Sequence, residues 1–145
     1  MKYIRYLSKL SLIMMSLSIL MSLNNDQVWC VTGYGSAELT YFSELNGYMS
    51  NEPLLFACVA ILGLLFALIL FFFKSKHSFA IVMVIFLMLS AIPMSMFSTA
   101  PFYRVMYDSI HLCHNHWLLL GAFCFCYQLI FTSIYLFSPH KKANP

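Results

Sequence analysis

Four uninterrupted apolar runs govern what this chain can become. They cover roughly 6–23 (YLSKLSLIMMSLSILMSL), 53–73 (PLLFACVAILGLLFALILFFF), 79–97 (FAIVMVIFLMLSAIPMSMF) and 117–137 (WLLLGAFCFCYQLIFTSIYLF). Each has about the 17–25 residues that a helix needs to cross a hydrocarbon core. Only helices and closed barrels satisfy every backbone polar group in lipid, and these runs lack the alternation of a barrel strand. Composition agrees: 61% of residues are hydrophobic and 9% charged, whereas a water-exposed domain carries about 25% charged residues. The expected fold is an all-α integral membrane protein, a bundle of four transmembrane helices forming one domain over residues 1–145.

The charges orient the runs. Lys2, Arg5 and Lys9 open the first, Lys74 and Lys76 lie between the second and third, and Lys141 and Lys142 follow the fourth. All five acidic residues, Asp26, Glu38, Glu44, Glu52 and Asp108, fall in segments 24–52 and 98–116, with Arg104 as the one cation there. Seven of eight Lys/Arg residues thus share one side, which the positive-inside rule makes cytoplasmic. Both termini are expected inside, segments 24–52 and 98–116 outside, in a bacterial inner membrane. The basic start of the first run also suits a secretory signal, but Leu20 and Leu23 spoil the small-residue cleavage pattern, so an uncleaved anchor is expected.

Short interfacial helices are expected in both outer segments. In the first, Leu39, Phe42, Leu45 and Met49 recur at near-helical spacing; an ordinary loop with aromatics dipping into the interface is the alternative. In the second, Ser98 or Thr99 followed by Pro101 signals a helix start. Phe102, Val105, Met106 and Ile110 then share one face; Tyr103, Tyr107 and His111 share another, and Arg104 and Asp108 can pair at i,i+4. Pro93 is expected to kink the third run near its outer end.

Small residues line the helices where close approach is needed. Ser8, Ser11, Ser18 and Ser22 form a strip on the first helix, with Ser16 off it; Ala60, Gly63 and Ala67 form another on the second. On the fourth, Gly121, Gln128, Thr132 and Tyr135 gather on one face. These strips either pack the protein's own bundle or dock a separate membrane protein. No Asp, Glu, Lys, Arg or His occupies the middle of a run, which argues against a pump or ion-coupled carrier, since those hold charge at the midplane.

The chemistry-bearing motif is HLCHNHW. His111, Cys113, His114 and His116 are four candidate ligands, imidazole and thiolate, for zinc or copper(I) within six positions. One regular helix cannot aim all four at one ion, so a metal site requires a break near 113–115 and a further ligand such as Cys30 or Glu52. The alternative is that these are amphipathic side chains at headgroup level. Cys30 and Cys113 are the two cysteines outside the runs on the outer side, and a bridge between them would compete with Cys113 as a ligand.

Trp29 followed by Cys30 lacks the Gly-Leu-Trp and the second spaced cysteine of claudins, so the likeness to that family stops at four spans. The size, the layout, the aromatic last run and the Lys141–Lys142 tail resemble immunity proteins against pore-forming bacteriocins, in architecture alone. The expected activity is binding: an accessory or assembly subunit, or an immunity-type inhibitor. Its partners would be the bilayer and another integral membrane protein or a second copy of itself. No resident cofactor, catalytic constellation or nucleic-acid partner is expected. The rival reading is copper or zinc handling by the histidine cluster.

Overall fold

The computed structural model describes residues 2–24, 28–33, 39–42, 51–73, 75–97 and 102–137. It is mostly helical. In chain order it contains α1 (Lys2–Ser22), β1 (Cys30–Thr32), β2 (Leu39–Tyr41), α2 (Asn51–Phe72), α3 (Lys76–Phe97), α4 (Phe102–His111) and α5 (His116–Phe137). Three helices hold stretches long and apolar enough to cross a membrane: Tyr3–Ser22, Pro53–Phe72 and His116–Phe137. The fourth long helix, α3, contains a shorter apolar stretch, His77–Ile92, and runs on through Pro93 to Phe97.

The long helices pack through both small and aromatic contacts. α1 touches two neighbours. Against α5, the Ser8 and Thr132 hydroxyls hydrogen-bond at 2.8 Å, and a side chain at Gly121 would meet Ile19 and Ser18. Against α2, Ser16 fills the space beside Gly63, and Lys9 lies over Phe71. Low residue numbers on α1 meet high ones on α2 and α5, so α1 is antiparallel to both. α3 follows α2 after a short turn, with Phe66 and Phe86 rings 5.6 Å apart. It returns to α5 through Phe79 and Tyr135, edge to face at 5.1 Å, a favoured aromatic geometry.

The packed interior includes Leu12, Met15 and Ile19 of α1, Phe56 and Leu70 of α2, Phe79 and Phe86 of α3, and Leu118 of α5. The outward faces are equally apolar: Leu68, Phe72, Met88, Phe123 and Phe137 are all exposed. Helices that are hydrophobic all round suit lipid rather than water, consistent with an integral membrane protein.

One expected element is different. Leu39–Tyr41 is a strand, not part of a helix, and pairs antiparallel with β1 in the register Cys30↔Tyr41, Val31↔Thr40, Thr32↔Leu39. The Phe42 amide continues the ladder to the Trp29 carbonyl at 3.0 Å. Threonine and tyrosine suit a pleated half-buried surface, and non-local pairing outweighs the weak helical spacing. Leu45 and Met49 lie outside the described residues.

Candidate functional site

At the end of the helices remote from Lys9, β1, β2, α4 and the turn into α5 form a cap. Its centre is Trp29, 1% exposed, whose indole nitrogen donates to the Ser22 carbonyl at 3.0 Å and whose ring lies 4.8 Å from that of Phe56. Trp29 thereby joins the end of α1 to the start of α2. Val31, Phe42 and Val105 are buried in the same cluster.

A disulfide joins Cys30 to Cys113, with Cα atoms 6.4 Å apart across 83 positions of sequence. Around it α4 is stitched to β1. Ser109 Oγ accepts from the Cys30 amide at 3.2 Å and donates to the Cys30 carbonyl at 3.1 Å. Asp108 Oδ2 accepts from the Thr32 amide at 2.7 Å and the Thr32 hydroxyl at 2.8 Å. Arg104 Nε stands 4.0 Å from the same oxygen, and its Nη2 donates to Thr32 Oγ1 at 3.3 Å. A carboxylate 4% exposed and bonded this way is a structural clamp, because removing its donors would leave a buried charge unsatisfied.

The turn between α4 and α5 is built by Asn115. Its Oδ1 accepts from the Leu118 amide at 2.9 Å, the usual N-cap bond, while Nδ2 donates to the Val28 carbonyl at 3.4 Å. Its own amide donates to the Ser109 carbonyl at 2.9 Å. Before it, His114 sits in the left-handed region at φ 53°, a conformation that non-glycine residues adopt sparingly.

The helix therefore breaks at 112–115, where a metal site would have needed it to, but the break does not assemble the ligands. Cys113 is committed to the disulfide and is not a free thiolate. His114 and His116 are exposed with stacked rings 6.4 Å apart, and His111 packs instead against Tyr107, ring to ring at 4.4 Å. Among the described residues no three His, Cys, Asp or Glu side chains are grouped to hold a metal ion. Of the residues proposed to complete the site, Cys30 is in the same disulfide and the Glu52 side chain is outside the described set.

The small-residue strips are largely spent inside. Ser18, Ser22, Ala60, Gly63, Ala67, Gly121 and Thr132 are buried, and Ser11 is half-buried. Ser11, Ser16, Ser18 and Ser22 return their hydroxyls to carbonyls of their own helix, at 2.9, 3.0, 2.7 and 2.6 Å. They contribute small volume and leave Ser8–Thr132, among the described residues, as the serine bond between long helices. Ser16, off that strip, faces α2 instead and is fully buried against Gly63. Gln128 is fully buried; its Nε2 donates weakly to Met83 Sδ at 3.5 Å and Thr132 Oγ1 at 3.4 Å, and Oε1 has no partner.

What the cap offers outward is aromatic and imidazole surface: Tyr103, Tyr107 and Trp117 are 73%, 61% and 47% exposed, beside His111, Leu112, His114 and His116. Comparison with protein-family models, with curated proteins and with solved structures finds no match for this chain.

Proposed function

We propose that this chain is a four-span protein of a bacterial inner membrane, with cytoplasmic termini, whose cap is a recognition surface for another membrane protein. The observation that carries the reading is the bracing of the cap. A disulfide, a buried carboxylate and an asparagine cap hold β1, α4 and the start of α5 together. A pre-organised surface loses less freedom on binding, so more of its contact energy appears as affinity. Tyr and Trp on such a surface are frequent anchors.

Two independent features support the orientation. In the sequence, seven of eight Lys/Arg residues fall at the start of α1, between the apolar runs of α2 and α3, or after α5, and the disulfide lies in the cap, as an oxidising outer compartment would favour. An accessory subunit and an immunity-type inhibitor would both use such a surface. A second copy of the chain is the remaining partner of this kind.

The test is photocrosslinking from Tyr107 and Trp117 in native membranes. The reading expects a discrete adduct with a second membrane protein, abolished by reduction of the cap. Adducts with lipid alone would contradict it. So would stoichiometric copper or zinc in the purified protein that is lost when His111, His114 and His116 are changed to alanine.

A further inference from the structure

The outward face of α5 carries a polar group at a depth where the other long helices have none. Tyr127 lies at the middle of the helix, about 15 Å from either end, and is 55% exposed. Its ring stacks on that of Phe131, centroids 6.1 Å apart, and among the described residues its hydroxyl has no hydrogen-bond partner. At comparable depth α1, α2 and α3 expose Leu10 and Met14, Ile61 and Leu65, Ile85 and Met88, none of which has a hydroxyl. The aromatic belt holds tyrosines at headgroup level and does not account for one at midspan.

Lipid tails offer neither donor nor acceptor there, so a hydroxyl facing them bears its full desolvation cost. A serine escapes that cost by bonding back to its own helix, as Ser11 and Ser18 do. A tyrosine hydroxyl stands at the far end of a rigid ring and cannot. Its partner has to come from a neighbouring helix.

We propose that α5 pairs with α5 of a second copy of this chain, about a two-fold axis along the membrane normal. The face centres on Ile130, itself exposed. At 3.6 residues per turn, Phe123, Tyr127 and Ile134 fall within about 60° to one side of it, and Cys126 and Ser133 within about 60° to the other. One flank is bulky, the other small, and both are exposed. A two-fold axis sets the bulky flank of each copy against the small flank of its mate, where small residues admit a close backbone approach. The Tyr127 hydroxyl then comes within reach of the mate's polar backbone. A hydroxyl both donates and accepts, so the face is self-complementary and needs no unlike partner. Two copies inserted in the same sense also bring α5 to equal depth. The inference rests on lipid surrounding α5 and is independent of what the cap binds.

Oxidative crosslinking in native membranes tests the pairing with the chain's own cysteines. With Cys126 as the one free thiol, in Cys58→Ala/Cys124→Ala, a disulfide-linked pair of copies should form. With Cys58 as the one free thiol, on the outward face of α2, it should not. Sedimentation equilibrium in density-matched micelles should find a dimer that Tyr127→Phe weakens about threefold to tenfold, since one hydroxyl is lost from each copy, and that Leu65→Ala leaves unchanged. Tyr127→Phe removes no bond within the chain, so its fold is preserved and the comparison is direct. A monomer at every protein-to-detergent ratio, equal dimerisation in Tyr127→Phe, linkage through Cys58 in place of Cys126, or linkage of Cys126 only to a different protein would each overturn the proposal.

Discussion

The hydroxyl of Ser16 on α1 occupies the space that any side chain at Gly63 on α2 would need, and it is held there by a bond to the Leu12 carbonyl at 3.0 Å. In lipid, helices gain no hydrophobic drive from meeting one another, so close backbone approach carries the association. This pair marks where α1 and α2 depend on it most.

Gly63→Ala should therefore destabilise the helix pair by about 1–3 kcal/mol, the usual range for forcing a methyl into a packed site. Ser16→Ala alone should change stability by less than about 1 kcal/mol, since its hydroxyl bonds only within its own helix. Combined, the two should recover most of the loss, a non-additive cycle measurable by denaturant unfolding in micelles.

Gln128 leads to the opposite expectation. Its two contacts at 3.4 and 3.5 Å are long, and interhelical bonds of this kind average only about 0.6 kcal/mol. The unpartnered Oε1 carries a burial penalty of about 1–3 kcal/mol. Gln128→Met, close in volume, should be neutral or stabilising by up to about 2 kcal/mol in the same unfolding assay. A clear loss would show that the amide is satisfied by a partner in the membrane.

Asp108 and Arg104 should separate cleanly in the cap. Asp108→Ala removes the acceptor for two Thr32 donors and should weaken the cap by about 2–3 kcal/mol. Arg104→Ala removes a 4.0 Å pair that is half exposed on the arginine side, worth less than about 1 kcal/mol. Protection of the Trp29 indole from hydrogen exchange reports the difference.

Reducing the Cys30–Cys113 bridge should loosen the same region. Closing 83 residues could stabilise a free chain by up to about 4.6 kcal/mol, but membrane helices already restrict the unfolded ensemble, so about 2–4 kcal/mol is expected. Trp29 is buried and Trp117 exposed, so the reduced protein should show red-shifted fluorescence from the former. An unchanged spectrum and unchanged unfolding midpoint would show that the hydrogen bonds alone hold the cap.

The long helices were legible because run length and hydropathy are local. Runs at 53–73 and 117–137 correspond to Asn51–Phe72 and His116–Phe137, with ends shifted by a residue or two. The cap was not legible in the same way. β2 exists because Thr40 and Phe42 meet Val31 and Trp29, whereas Leu39 and Phe42 considered alone suggest a helical stripe. Ser16 falls off a strip drawn for one neighbour because α1 has two, α2 and α5. The break at 112–115 could be anticipated as a requirement, but where it aims His111, His114 and His116 depends on Asn115, Ser109 and the disulfide, which are tertiary facts.

The account depends most on lipid surrounding α1, α2, α3 and α5 with the cap outside the cell and the α2–α3 turn within it. Single cysteines at Ser75 and at Tyr103, both exposed, test this directly in a background with Cys58, Cys124 and Cys126 replaced by alanine and the disulfide kept. An impermeant maleimide added to intact cells should label the cysteine at position 103 at once and the one at position 75 only after the membrane is opened. Labelling at 75 from outside, or protection at 103 until permeabilisation, would contradict it.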